Sequence, residues 1–194
     1  VVKDKTSSLI KSILQAFISI GITLKNWKYV LFLIIMILFW TAFNQLYYSF
    51  PVFVDQWVDT STLYDGIYKI WPWLAKSIGT ETGTLTAPTL LSMDSFFIIV
   101  FQLMVSAFVM RFRPLAAMMG GILVLSGGLA LMFSTQSGWI ILLGILIFAL
   151  GEMGSSPKFT EYVGKIAPAD QKALYMGTSF LPIAAAHQLA GWLS

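Results

Sequence analysis

The chain has no cysteine, one histidine and few charges: of its 194 residues only 11% are Asp, Glu, Lys or Arg. Without cysteine there is no disulfide, thiolate metal site or cysteine nucleophile, and the redox compartment is left open. Soluble domains carry about 25% charged residues. A charged fraction of 11%, with 57% hydrophobic residues and a mean hydropathy of +0.79, places this chain in a membrane. The net charge of +3 is small and the basic residues are scattered, so nothing supports binding to nucleic acid. A glycine-rich phosphate loop, an HExxH pair and a serine–histidine–acid arrangement are all missing. That argues against an enzyme, and neither a cofactor nor a metal centre is expected. The first residues, VVKDKTSSLIKS, contain no apolar signal core and no methionine, and they read as the interior of a longer protein.

What the chain does contain is long apolar runs. A bilayer span needs about 20 mostly apolar residues, and five segments qualify: roughly 29–54, 92–112, 114–134, 138–157 and 173–193. The expected class is an all-α membrane protein of about five transmembrane helices. Ahead of them, SLIKSILQAFISIGITLKN has the spacing of an amphipathic helix lying at the membrane surface. Residues 1–28 are therefore read as a juxtamembrane segment, and 29–194 as the transmembrane part. The connection over about 55–91 is expected to carry a short surface helix within 64–78, with Trp71 and Trp73 at headgroup level.

Charge sets the expected orientation. With residue 1 in the cytoplasm, ten lysines and arginines fall inside and only Lys69 and Lys76 fall outside, beside Asp55, Asp59, Asp65, Glu81 and Asp94. This follows the positive-inside rule, and suits a multi-pass protein of the plasma or inner membrane. An odd number of hairpin-linked helices is expected to belong to a larger bundle.

The polar residues are unevenly distributed among the spans. The third, PLAAMMGGILVLSGGLALMF, has no ionisable side chain; Gly120, Gly121, Gly127 and Gly128 allow close packing. It reads as a support helix. In the first span, Thr41, Asn44, Gln45 and Tyr48 fall on one stripe at 100° per residue, with Trp40 and Tyr47 at its edge. Such a stripe either lines a wet cavity or binds neighbouring helices by hydrogen bonds. Pro51 is a possible hinge.

The fourth span carries Glu152, with Ser155, Ser156 and Phe159 on its face and the two serines able to solvate it. A carboxylate about 20 Å along a spanning helix is a functional group by default, carrying a proton or pairing with a cation. Its basic partner is not visible in any span. Asp94 is either an ordinary helix amino-terminal acid or a substrate contact. Gln102 and Ser106 either line the cavity or bond a neighbour, and His187 either relays protons or makes a packing hydrogen bond.

These residues resemble the proton-dependent oligopeptide transporters of the major facilitator superfamily. LFWTAFNQLYYSFPVFV is similar to that family's seventh helix, with its Phe-Trp pair followed by an acid and Gln. MDSFFIIV looks like its eighth helix. ALGEMGSSPKFTEYVGKIAPADQKALYMGTSFLP resembles its tenth and eleventh, through the Gly-Glu motif, the Ala-Pro loop and Met-Gly before Phe-Leu. The resemblance covers residues 29 to the end and implies helices seven to eleven of a twelve-helix fold, with 1–28 linking the two halves. It further implies proton-coupled symport of di- or tripeptides by alternating access, with protons, a small peptide and the absent amino-terminal half as partners. On this resemblance Glu152 faces the substrate amino group. Asn44 stands where many members carry a gating acid, Asp94 where an asparagine is usual, and Ser179 where a tryptophan is usual. Two other readings stay open: a carrier of a non-peptide solute, and a non-transporting sensor or assembly subunit.

The charge asymmetry generates a topology prediction. An impermeant maleimide should label Thr62→Cys in intact cells and reach Arg113→Cys only after permeabilisation; labelling of Arg113→Cys alone in intact cells would overturn the orientation.

Overall fold

A computed structural model describes residues 14, 17, 18 and 20–194. Over them the chain forms α1 (Trp27–Trp57), α2 (Ser61–Ile70), α3 (Pro72–Ile78), α4 (Ala87–Val109), α5 (Pro114–Phe133), α6 (Gly138–Ile166), α7 (Lys172–Thr178) and α8 (Leu181–Leu193). The described residues contain no β-strand, and two isolated bridges are the only sheet-like pairings. Most of the expected surface helix before α1 lies outside the described residues; residues 20–23 are helical.

Local chemistry sets the helix ends. The Asn26 side chain caps α1 by accepting from the Tyr29 amide, and Thr86 caps α4 by accepting from Thr89. α4 and α5 carry Pro88 and Pro114 in their first turns, where the missing N–H has no helical partner to lose. α6 stops at Ala167, the residue before Pro168.

Among the described residues, four helices, α1, α4, α5 and α6, are long and apolar enough to cross a membrane. Five were expected. The fifth segment is instead divided into α7 and α8, because Pro182 has no N–H for the Thr178 carbonyl and its ring crowds that group. The backbone tightens across the break: Phe180 N–H donates to Gly177 O at 3.3 Å and Ile183 N–H to Phe180 O at 3.1 Å.

Two other boundaries differ from expectation. α4 begins at Ala87 rather than near 92, which moves Asp94 from the helix start to its interior. α6 continues through Pro157 to Ile166, at the loss of one backbone hydrogen bond. Its 29 residues extend about 43 Å at 1.5 Å each, longer than the ~30 Å hydrocarbon core.

Polar contacts tie the bundle together at both ends. At one end the Tyr29 hydroxyl donates to Tyr175 O at 2.8 Å and lies 2.7 Å from Thr178 Oγ1, which joins α1 to α7. At the other, Asp59 N–H donates to Gln136 O at 3.0 Å and Gly138 N–H to Asp59 O at 3.2 Å. Thr60 Oγ1 both donates to Leu85 O and accepts from Leu85 N–H. The Ser61 hydroxyl and amide both donate to the Asp59 carboxyl, holding it below its usual range. In the long connection, α2 and α3 are short helices separated at Trp71 by Pro72, and Trp71 and Trp73 are exposed.

The tightest helix pair is α5 against α6, and glycine permits it. A Cβ on Gly121 would come 2.7 Å from the Ser155 amide nitrogen, and one on Gly128 2.7 Å from Gly144 O. A Cβ on Gly151 would meet the Leu125 amide nitrogen and lie 2.7 Å from Gly121 O. Gly120 and Gly127 face open space. The span expected to be a bland support thus holds the glutamate-bearing helix at backbone contact.

Gly151→Ala should destabilise the purified protein by about 1–3 kcal/mol, because backbone rather than a movable side chain blocks the methyl group. Gly127→Ala should be neutral or slightly stabilising, through its better helix propensity. Chemical unfolding in detergent measures both, and equal effects would refute the asymmetry.

Candidate functional site

The site is built between α1 and α6. On α6, Phe148, Glu152 and Phe159 share a face at spacings of four and seven. On α1, Trp40, Phe43 and Tyr47 form a ridge at i, i+3 and i+7: Trp40 lies 5.1 Å from Phe43, and Phe43 6.0 Å from Tyr47, between ring centroids. The two backbones stand apart, and aromatic side chains bridge the space. Phe43 packs on Phe148 at 5.3 Å, and Trp40 on Phe159 at 6.2 Å. Glu152 sits between those two bridges along α6, half-buried.

α4, packed against α6, carries a second buried acid. Asp94 is only 4% exposed, on a helix packed against the one that carries Glu152. Tyr47, packed on Phe43, is half exposed. Asp94 is therefore a buried interior group rather than a helix amino-terminal acid.

Four buried side-chain polar atoms among the described residues lack a hydrogen-bond partner: Trp40 Nε1, Asn44 Nδ2, Asp94 Oδ1 and Glu152 Oε2. All four belong to residues selected from sequence. Most buried polar side-chain atoms in folded proteins are paired, and leaving one unpaired costs about 1–3 kcal/mol, more if it is charged. Two of these atoms donate and two accept. Such a group fits a polar solute that carries both donors and acceptors.

Other expected residues lie elsewhere. Gln45 turns to α8, donating from Nε2 to Ala190 O at 3.4 Å, and its Oε1 accepts from the Ser49 hydroxyl. It binds helices together. Thr41 donates to its own helix at Ile37 O. Tyr48 is 41% exposed. Ser155 does not solvate the Glu152 carboxyl: it is fully buried toward α5, and its hydroxyl donates to the backbone carbonyl Gly151 O at 2.8 Å. Ser156 is half-buried beside it. Gln102 and Ser106 bond each other at 3.0 Å, and His187 is exposed.

No described lysine or arginine forms an ion pair with Glu152 or Asp94. The buried Lys158, six residues beyond Glu152, pairs with Glu161 at 2.7 Å, and Lys165 reaches the same carboxylate at 2.8 Å. Tyr47 is the residue that sequence reasoning passed over. Its place at the edge of the polar stripe was visible, but Tyr48 on the stripe itself was preferred. Comparison with protein-family models, curated proteins and solved structures finds no match to this chain.

Unpaired buried carboxyl groups favour function over stability. Asp94→Asn and Glu152→Gln should therefore leave the melting temperature unchanged or raise it. Tyr29→Phe, which removes hydrogen bonds at a buried helix junction, should lower stability by about 1 kcal/mol. A clear drop for Glu152→Gln in thermal unfolding would mean that a cation beyond the described residues already pairs with it.

Proposed function

We propose that this chain forms part of a membrane carrier that moves a small peptide or similar polar solute together with a proton by alternating access, with Glu152 at its binding site. The supporting observation is that Trp40, Asn44, Asp94 and Glu152, on α1, α4 and α6, each carry a buried polar atom without a partner, with aromatic side chains packed between α1 and α6. A stability role alone would favour paired or apolar residues there. The resemblance of the α1, α4 and α6 sequences to oligopeptide transporters supports the same reading. It adds a finer architecture: the carboxy-terminal half of a major facilitator fold, opposed across the site by another half. Alternating access about a midplane site between such halves would expose Glu152 first to one side and then to the other. Its carboxyl group would exchange a proton or a solute ammonium at each stage.

Glu152→Gln keeps the size and hydrogen bonding of the side chain while removing its charge. In the intact carrier it should abolish proton-driven uptake of labelled dipeptide with expression and melting temperature preserved. Normal uptake with an unshifted pH profile would reduce Glu152 to a structural group. Absence of any flux in the unmodified protein would favour the non-transporting reading.

A further inference from the structure

We propose that the apolar groove between α4 and α5 binds one anionic phospholipid, its acyl chain in the groove and its phosphate on Arg111 and Arg113. This goes beyond the solute-binding reading of Glu152 and does not depend on it. α4 and α5 are consecutive helices joined by the short turn 110–113, yet each packs on α6 and the two barely touch one another. The space between them is a groove of about 550 Å³ whose lining residues are all apolar, with Leu150 and Gly154 of α6 at its back. Met104 and Phe108 on its α4 wall are largely exposed. On its α5 wall, a Cβ on Gly120 would meet nothing within 4 Å.

The length of the groove and the charge at its end select the occupant. It runs from Phe101 to Val109 on α4 and from Ala116 to Val124 on α5, about 12 Å along each helix. That is less than half of the ~30 Å hydrocarbon core. A spanning helix needs the full thickness, whereas an acyl chain occupies a single leaflet. At the turn, Phe112 lines the end of the groove between Arg111 and Arg113, and all three are exposed. No Asp or Glu occurs between Asp94 and Glu152, and neither arginine forms an ion pair among the described residues. Guanidinium groups bond phosphate oxygens in a bidentate fashion, and basic sites between spanning helices hold anionic headgroups. The orientation expected from charge puts this turn at the cytoplasmic face, where the leaflet is anionic.

The test is native mass spectrometry of the intact protein in detergent, titrated with phosphatidylglycerol or with phosphatidylcholine of the same chains. Phosphatidylglycerol should bind at least about fivefold more tightly. Arg111→Gln combined with Arg113→Gln should remove that preference and leave phosphatidylcholine binding in place. Gly120→Leu, which fills the groove, should weaken both lipids at least about fivefold. Its melting temperature should be unchanged, because the side chain enters open space, and this separates a filled groove from a lost fold. Gly127→Leu, which faces open space outside the groove, should bind both lipids as the unmodified protein does. Equal affinities for the two lipids, a preference that survives the double arginine replacement, or lipid binding untouched by Gly120→Leu would overturn the proposal. Disrupted assembly of Gly120→Leu with lipid binding intact would overturn it in favour of a protein segment as the occupant.

Discussion

The close contact of α5 with α6 is the constraint on which the site's geometry depends. Glycine at 121, 128, 144 and 151 lets the two backbones meet without intervening side chains, and in a membrane such contact is a main source of helix association. Because α6 is held along this face, its rotation about its own axis is fixed. Ser155 is thereby turned into the α5 contact, and Phe148, Glu152 and Phe159 are turned toward α1. The apolar, glycine-rich α5 therefore orients the acid without carrying any polar group of the site.

The opposite side of α6 is joined differently. Between α1 and α6 the link is made by rings: Phe32 with Tyr162, Phe39 and Trp40 with Phe159, and Phe43 with Phe148. Large side chains spanning separated backbones leave room for polar groups between them. They also leave those groups without backbone partners, and this is how Trp40, Asn44 and Glu152 remain unsatisfied. The low dielectric that makes such atoms costly also strengthens any interaction they make with a bound solute.

Much of this arrangement was legible in the sequence. Apolar length located the four helices that are long and apolar enough to cross a membrane, together with a fifth segment that the fold breaks, and the rarity of charge within them singled out Glu152. Helical periodicity put Asn44 on the polar stripe of α1 with Trp40 at its edge, and each has a buried polar atom without a partner. Periodicity does not say which neighbour a face meets, however, and Ser155 and Gln45 show the consequence. Both share a stripe with site residues, but one is directed to α5 and the other to α8. Asp94 was placed at a helix start because the apolar run begins near residue 92, whereas the Thr86 cap and Pro88 start the helix a turn and a half earlier. The break between α7 and α8 followed from Pro182, a local signal outweighed by the hydropathy of the whole segment.

The distribution of hydrogen bonds also bears on movement. At one end α1 is tied to α7 through Tyr29, Tyr175 and Thr178, and at the other the Asp59 backbone is tied to Gln136 and Gly138. Between these ends the contacts of α1 with α6 are aromatic and non-directional. Directional bonds break if helices slide, whereas ring contacts reform in a shifted register at small cost, because dispersion and burial change little with orientation. Pro51 and Pro157 each remove one backbone hydrogen bond from these two helices, in each case just beyond the polar residues of that helix in sequence. A missing backbone hydrogen bond thus lies within about two turns of the polar residues on both helices, while glycine packing fixes α5 against α6.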